Sequence, residues 1–248
     1  MRQRRELEQD IRRVALWQTS WGYRRVRNWL VRREGYVVSY KTVQKVLQKQ
    51  NLQVKQKSAT PRPRVQESVS QCQQPNQRWA IDASSCWSEQ GWVGILAVID
   101  CCTRQIVGYH VGSRARATEA EATLEMGCLA QFGLVYPPSD ESDQRPVLRS
   151  DNGKVFTSKR FVARCKQYGL RQEFITPYTP EQNGMIERWF RSLKEECVWL
   201  HNFVDAEDAA GKIGDWVEFY NTLRLHQALN YLSPDEYRAQ FEITTQVA

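Results

Sequence analysis

Hydrophobic residues recur at the spacing of helix faces in three stretches near the start of the chain. This pattern predicts three helices, over residues 5–18, 23–33 and 40–50. Gly22 interrupts the pattern between the first two helices, and Ser39 is a favourable N-cap for the third. A short helix, a turn and a capped basic helix are together typical of a helix-turn-helix.

From Arg78 onward the pattern changes to alternating strands and helices. Strands are predicted over residues 79–84, 92–100, 105–110, 147–149 and 170–175. Helices are predicted over residues 117–131, 158–168, 182–196 and 205–221. The second strand is almost entirely apolar, as in a strand that is buried on both faces. This order of elements predicts the α/β class, with a mixed sheet covered by helices on both faces.

A polar stretch at residues 51–77 separates the two regions. It contains three prolines and shows no sustained period, which predicts an extended, mobile linker. The predicted organisation is a helix-turn-helix region at 1–52, a linker at 53–77, a core at 78–200 and a C-terminal helical extension of the core at 201–248. Five tryptophans are predicted to be core residues rather than base-stacking surfaces: Trp17, Trp29, Trp79, Trp87 and Trp92.

The composition narrows the class of protein. The 248 residues are 41% hydrophobic and 25% charged, which is enough apolar material for a core. No apolar run approaches the roughly 18–20 residues of a membrane span, and no secretory signal is visible, so we expect a cytoplasmic protein. The seven cysteines are scattered without a C-x-x-C pair, which argues against a disulfide framework and a cysteine-based zinc site.

Charge is distributed unevenly along the chain. Residues 1–77 carry 17 lysines and arginines against 5 aspartates and glutamates, a net charge of +12. Residues 78–248 carry 18 against 23, a net charge of −5. The imbalance indicates a polyanion-binding module joined to a region that needs carboxylates. The alternative is a basic tail that only aids solubility.

Three carboxylates occupy unusual positions for structural residues. Asp82 lies inside the first strand, where a carboxylate is costly unless it is paired or bound to a cation. Asp151 ends the fourth strand, a favoured ligand position in open α/β sheets. Glu187 lies beside the buried stripe of its helix, and its alternative role is a surface ion pair with Arg191. Asp100, at the end of the second strand, is the alternative to Asp82 as the first carboxylate of the three.

Three segments carry a resemblance to a known family. WAIDASSCW, VLRSDNGKVFTS and TPEQNGMIERWFRSLKEE resemble the signatures of DDE transposases and integrases, which have an RNase H-like core. The 35 residues between Asp151 and Glu187 match the D-35-E spacing of that family. The match is closest to second-frame (OrfB) transposases of the IS-three family of bacterial insertion sequences, which are related to retroviral integrases.

The resemblance extends over nearly the whole chain. GYRRVRNWLVRREGYVVSYKTVQKVLQ resembles the helix-turn-helix of these transposases, and YNTLRLHQALNYLSPDEY resembles their C-terminal signature. One departure is the interval between Asp82 and Asp151, which is longer than expected for the family. The polar loop at 133–145 accounts for this length, and its role is open.

The resemblance implies a catalytic site and a cofactor. Asp82, Asp151 and Glu187 are the expected catalytic residues and metal ligands, converging on two Mg²⁺ ions, for which Mn²⁺ can substitute. The expected fold is an RNase H-like mixed-sheet core behind an all-α helix-turn-helix domain. No zinc is expected, because residues 1–71 contain neither the histidines nor the cysteines of the retroviral zinc module.

The resemblance also implies DNA contacts, because a metal-bound scissile phosphate needs neighbouring cations and amides. The expected contact residues of the helix-turn-helix are Arg24, Arg25, Lys41, Thr42 and Lys45. Those of the core are Asn152, Lys154, Asn183, Arg188, Arg191 and Lys194.

The implied function is Mg²⁺-dependent cleavage and strand transfer of insertion-sequence ends. Its partners are terminal inverted repeats and target DNA in the bacterial nucleoid, a second copy of the chain, and an upstream-frame OrfA protein or fusion. One alternative is a DNA-binding regulatory subunit that is inactive without the upstream-frame fusion. A nuclease acting on RNA–DNA hybrids is disfavoured by the helix-turn-helix and the 35-residue spacing.

Overall fold

A computed structural model describes residues 2–54, 72–137, 145–176 and 180–247. Most of the predicted linker and the centre of the predicted 133–145 loop lie outside the described residues. Among the described helices, none is both long enough and apolar enough to cross a bilayer.

The helices and strands lie close to their predicted positions. The helices are α1 (Arg2–Trp17), α2 (Tyr23–Glu34), α3 (Tyr40–Lys49), α4 (Ala117–Phe132), α5 (Lys159–Gln167), α6 (Gly184–Glu196), α7 (Ala206–Thr222) and α8 (Pro234–Val247). The strands are β1 (Arg78–Ser88), β2 (Gly91–Asp100), β3 (Ile106–Gly112), β4 (Val147–Ser150) and β5 (Arg171–Phe174). Helix α8 is absent from the sequence prediction, and β1 is longer than predicted.

The chain forms two compact units. Unit 1 consists of Met1–Arg64 and Arg224–Ser233, and unit 2 consists of Val65–Leu223 and Pro234–Ala248. Residues 224–233 are part of the segment that the sequence prediction assigned to an extension of the core. The described structure groups them with the N-terminal helices instead.

Unit 1 contains the three predicted N-terminal helices. Helix α2 ends at Gly35, which adopts a left-handed conformation and donates its N–H to the Leu30 carbonyl. The Ser39 side chain caps α3 by accepting a hydrogen bond from the backbone N–H of Thr42. The rings of Trp17, Trp21 and Trp29 pack together, with centroids 5.0–5.8 Å apart.

Unit 2 is built on a five-stranded mixed sheet with the order β3-β2-β1-β4-β5. Strands β1, β2 and β3 pair antiparallel, whereas β4 and β5 run parallel to β1. Strand β1 is therefore central, with an antiparallel neighbour on one side and a parallel neighbour on the other. The fold is of the α/β class with a mixed sheet, as predicted.

Two hydrophobic layers cover the sheet, because side chains alternate between its faces along each strand. On one face, Ala80 and Ile95 pack with the buried residues of α6 and α7, such as Trp189 and Trp216. On the other face, Trp79 packs with the buried residues of α4 and α5.

The predicted burial of three tryptophans is wrong. Trp87 and Trp92 are 60% and 66% exposed, and they form a cross-strand, edge-to-face pair at the β1–β2 hairpin. Trp17 is also 46% exposed, whereas Trp79 is fully buried. The neighbouring residues Cys86 and Val93 are buried in the cluster with α6 and α7, so the tryptophan pair lies on the opposite, solvent-exposed face of the hairpin.

Gly108 allows α4 to approach β3 closely. A Cβ atom at this position would lie 2.2 Å from the backbone carbonyl oxygen of Thr123 in α4. That distance is shorter than any contact two such atoms can make, and the obstructing atom belongs to the backbone. A side chain at position 108 would force the helix and the sheet apart.

We predict that Gly108→Ala lowers the free energy of unfolding by about 2–4 kcal/mol, because the backbone of α4 must move. Denaturant unfolding monitored by circular dichroism measures the loss. Gly211→Ala is the matched control: it lies within α7 with no atom within 4 Å of its added Cβ. This control should gain about 0.5–1 kcal/mol from helix propensity. Equal stability of the two variants would contradict the prediction.

Candidate active site

Asp82 and Asp151 lie at the same level on neighbouring parallel strands. Arg78 of β1 pairs with Val147 of β4. Asp82 lies four residues after Arg78, and Asp151 lies four residues after Val147. Asp151 is the first residue after β4, and strand neighbours in a sheet lie about 4.8 Å apart. The register of β1 on β4 therefore aligns the two aspartates along the sheet.

The turn after β4 holds the Asp151 carboxylate. The Gly153 N–H donates to Asp151 Oδ1 over 2.9 Å, and a Cβ at position 153 would lie 2.8 Å from the same oxygen. Only glycine leaves that space. The Asn152 side chain donates to the Ile175 carbonyl over 3.0 Å, which fastens the turn to the end of β5.

Helix α6 brings Glu187 to the β1 face of the sheet. The buried stripe of α6 includes Ile186, Phe190 and Leu193, as predicted, and packs in the same core cluster as residues of β1 and β2. Glu187 is exposed beside this stripe, and Lys194 is half-buried two turns further along. The helix thus presents a carboxylate and a cation next to the sheet.

The charges on these residues act on Asp82. Burial raises the pKa of the Asp82 carboxyl to about 6, and a hydrogen bond from the Ala83 N–H opposes the rise. The negative charges of Asp151 and Glu187 raise this pKa further, whereas the positive charge of Lys194 lowers it. Asp82 therefore lies within electrostatic reach of both other predicted catalytic carboxylates.

The three carboxylates do not converge on a common metal-binding point. Within the described residues, no group of three or more His, Cys, Asp or Glu side chains is close enough to hold a metal ion. The structure therefore gathers Asp82, Asp151 and Glu187 into one electrostatic cluster but does not assemble the expected ligand cage. The donor set consists of carboxylate oxygens, the ligands that Mg²⁺ prefers.

Arg149 is a residue of this region that the sequence analysis missed. It is 7% exposed, and its guanidinium donates to Glu173 of β5 over 3.1 Å and to the Gln182 carbonyl over 2.8 Å. Gln182 lies in the turn that leads into α6. Arg149 thereby connects β4, β5 and the start of the helix that carries Glu187. A basic residue in the short strand VLRS is the signal that could have identified it.

Asn183 does not occupy the position of a DNA contact. It is 3% exposed, and its buried side-chain oxygen has no hydrogen-bond partner among the residues that the structure describes. The predicted DNA contact at Asn183 is therefore wrong in this structure. The residue lies directly before α6 and is buried inside the fold. Its place in the NGMIE motif gave no indication of burial.

The other expected contact residues of unit 2 lie at the surface or its edge. Asn152, Lys154, Arg188 and Arg191 are exposed, and Lys194 is half-buried. Arg191 forms an ion pair with Glu195, four residues later, at 3.0 Å. Such exposed pairs contribute at most about 1 kcal/mol, so Arg191 can exchange Glu195 for a phosphate at little cost.

The expected contact residues of unit 1 lie on α2 and α3. Arg24, Lys41, Thr42 and Lys45 are exposed, and Arg25 is half-buried, with its guanidinium 5.4 Å from the Trp21 ring centroid. The Thr42 hydroxyl is 2.9 Å from that of Ser39, so it also takes part in the cap of α3.

Asp100 has a structural role, which argues against it as the first catalytic carboxylate. It is fully buried, and its Oδ1 accepts hydrogen bonds from the N–H groups of Cys102 and Thr103 and from the Thr103 hydroxyl. Its Oδ2 accepts a hydrogen bond from the Asn76 N–H over 2.7 Å. Both oxygens are occupied in shaping the turn after β2.

Comparison with known families identifies the domain that carries this cluster. A family model described as "Integrase core domain" matches residues 73–180, and a second model with the same description matches residues 168–234. The chain therefore contains an integrase core domain. A model described as "HTH-like domain" matches residues 2–60. The resemblance drawn from the sequence motifs is confirmed for both domains.

Curated relatives of this integrase-core chain come from insertion sequences. It is 26% identical over 230 residues to the putative transposase InsK for insertion sequence element IS150 of Escherichia coli (strain K12), covering 89% of this chain and 78% of that protein. It is 27% identical over 170 residues to the transposase InsF for insertion sequence IS3fB of the same organism, covering 67% and 55%. The chain thus spans between about half and three-quarters of the length of these relatives.

A solved structure shares the fold. The chain matches a component of the simian T-cell lymphotropic virus intasome in complex with PP2A regulatory subunit B56 gamma, with a TM-score of 0.52 and 17% identity. The match covers 76% of this chain and 63% of that one. This likeness supports the predicted integrase-core fold.

We predict that Asp82→Asn stabilises the metal-free protein at pH 8 but not at pH 4. The folded-state pKa of Asp82 is about 6, whereas an unfolded aspartate has a pKa of about 3.9, so ionised Asp82 costs folding free energy above pH 6. The cost disappears below pH 4, where the group is protonated in both states. Because Asp82 is only partly buried, the gain at pH 8 is about 1–2 kcal/mol.

Denaturant unfolding in EDTA at the two pH values measures this difference. The exposed Asp215→Asn variant in α7 is the control and should change little at either pH. A loss of stability in Asp82→Asn at pH 8 would contradict the predicted repulsion.

We predict that Arg149→Met destabilises the protein by about 1–3 kcal/mol, because the buried Gln182 carbonyl loses its donor while Glu173 keeps Arg78 at 3.2 Å. Arg149→Lys should recover part of the loss, since an ammonium can replace one of the two contacts. Amide hydrogen exchange should accelerate at 182–187 in Arg149→Met. Unchanged exchange there would show that Arg149 does not hold the start of α6.

Proposed function

We propose that this chain is a DNA transposase that cleaves and joins phosphodiester bonds through Asp82, Asp151 and Glu187. The observation that carries the proposal is the half-buried Asp82 carboxylate in a central strand, whose pKa is raised by burial and by the charges of the other two carboxylates. A cluster of carboxylates beside a central strand lowers stability, because like charges repel. It is therefore expected where a cation is needed.

The donor set fits magnesium. Three carboxylates supply the oxygen ligands that Mg²⁺ prefers, and a divalent cation would neutralise the repulsion at Asp82. Two Mg²⁺ ions, or Mn²⁺ in their place, would supply activation of a water or a DNA 3′-hydroxyl and stabilisation of the leaving oxygen. Glu187 lies on an exposed face of α6, so closing the ligand set requires only a rearrangement at the surface.

The remaining residues of the region hold the carboxylates and receive DNA. The Gly153 N–H orients Asp151, and Arg149 holds the turn before Glu187. Lys194 balances charge near Asp82, and we propose that it contacts phosphate together with Arg188 and Arg191. No protein nucleophile is needed, because the attacking group is a water or a DNA hydroxyl.

We further propose that unit 1 binds DNA through the cationic side chains of α2 and α3. The terminal inverted repeats and target DNA are the proposed partners, in the bacterial nucleoid of the cytoplasm. Transposition joins two element ends, so a homo-oligomer on DNA is part of the proposal, as is an upstream-frame OrfA protein or fusion.

We expect Asp151→Asn, Asp82→Asn and Glu187→Gln each to abolish Mg²⁺-dependent cleavage and joining of duplex DNA that carries the element's terminal repeats. The loss should exceed about 100-fold, since removal of outer-shell partners alone costs metal sites about 10- to 100-fold. Asp215→Asn should retain activity. Gel analysis of labelled repeat DNA gives the measurement, and cleavage by Asp151→Asn at the wild-type rate would falsify the assignment.

The same assay distinguishes the second candidate function, a DNA-binding regulatory subunit. This candidate is favoured by the ligand set, which is not assembled around a metal site within the described residues. If wild-type protein binds repeat DNA without cleaving it, and gains activity only when an upstream-frame protein is added or fused, the regulatory function is correct.

A further inference from the structure

Unit 1 contains a groove that the helix-turn-helix alone does not form. A cavity of about 680 Å³ lies between the start of α2, α3 and the segment 224–233, all within unit 1. The polar side chains that line it include those of Tyr23, Arg24, Arg25, Gln44, Gln227 and Tyr231. The last two of these come from the C-terminal signature, far along the chain from α3.

The segment 224–233 holds Tyr231 in a strained backbone conformation. Asn230 and Tyr231 have φ angles of +54° and +59°, in the left-handed region that disfavours residues with a Cβ. The Tyr231 N–H donates to the His226 carbonyl over 2.8 Å, and Arg32 of α2 donates to the Asn230 carbonyl over 3.1 Å. The surrounding contacts therefore hold Tyr231 in a backbone conformation that a glycine would adopt without strain. Such strain is typical of a residue whose side chain has a function.

The lining of the groove has the chemistry of an anion-binding surface. None of the described residues that line it is acidic. Arg24 donates to the Tyr23 hydroxyl over 3.2 Å, so an aromatic neighbour orients this guanidinium. Burial raises the pKa of the Tyr231 phenol, and the charges of Arg24 and Arg25 partly offset that rise, which places the phenol near both cations.

The charge of unit 1 favours a polyanion over a small anion. Unit 1 carries 18 lysines and arginines against 4 aspartates and glutamates, a net charge of +14. Gln44 of the groove follows Lys41 by three residues on α3, so the groove borders the exposed face of that helix. A ligand that extends from the groove would therefore reach the cations of α3.

We propose that this groove binds the sugar-phosphate backbone of a DNA strand, with Tyr231 and Gln227 donating hydrogen bonds to phosphate beside Arg24 and Arg25. The C-terminal signature is then part of the DNA-binding unit. The inference rests on the proposed function in one respect only, that DNA is the ligand. It is independent of whether unit 2 cleaves DNA.

Binding of the full chain to a mixed-sequence duplex of about three helical turns tests the proposal, with fluorescence anisotropy in EDTA at several salt concentrations. We expect Tyr231→Phe and Gln227→Ala each to weaken binding by about three- to tenfold, with the salt slope unchanged, because a neutral hydrogen bond is lost. Arg24→Gln should weaken binding and also lower the salt slope by about 0.9, because one phosphate contact is lost.

Two variants of unit 2 serve as matched controls. Tyr136→Phe alters an exposed tyrosine, and Gln90→Ala alters an exposed glutamine in the β1–β2 turn. Both should bind the duplex as the wild type does. Because EDTA removes divalent metal, loss of cleavage activity does not affect this measurement, and a failure of the proposed catalysis remains distinguishable.

Wild-type affinity in both Tyr231→Phe and Gln227→Ala would overturn the proposal. So would saturable binding of inorganic phosphate that depends on Tyr231 while duplex affinity does not. Where a variant melts below the wild type, photocrosslinking of the unmodified protein to a duplex with azidophenacyl groups on backbone phosphorothioates decides. A crosslink in the tryptic peptide 225–238, which contains Tyr231, supports the groove, and its absence from that peptide rejects it.

Discussion

The parallel pairing of β1 with β4 is the constraint on which the candidate site depends. It aligns two carboxylates that are distant from each other in the chain, and the antiparallel partner β2 keeps β1 in the centre of the sheet. A shift of this pairing by one residue would move Asp82 to the opposite face and remove it from α6. Helix α6 packs on the same face of the sheet as Asp82 and brings Glu187 close to it.

The cluster opposes the stability that the sheet provides. The core on both faces of β1 is dense and apolar, whereas Asp82 is held between like charges with a raised pKa. Proteins retain such repulsion where chemistry requires it, because burial of ordinary residues at the same place would be more stable. Arg149 contacts Glu173 and the Gln182 carbonyl, and it shows how a buried cation can hold the turn before α6 without being one of the proposed metal ligands.

Much of this arrangement could be predicted from the sequence, because local patterns encode it. The apolar run of β2, the stripe of α6 and the cap at Ser39 each identify an element from neighbouring residues. The exposure of Trp87 and Trp92 could not be predicted, since hydrophobicity does not reveal which face of a hairpin the helices leave uncovered. The burial of Asn183 and the contacts of Arg149 depend on chain segments that meet only in the folded state.

The grouping of residues 224–233 with the N-terminal helices has a consequence for the synthesis of the chain. Helices α1–α3 make local contacts and can form soon after they leave the ribosome, whereas their C-terminal partner emerges only after the whole intervening segment 65–223 has been translated. A nascent chain therefore carries an incomplete N-terminal unit until residues 224–233 have emerged from the ribosome. Truncated translation products would retain the basic helices but lack Tyr231 and its loop.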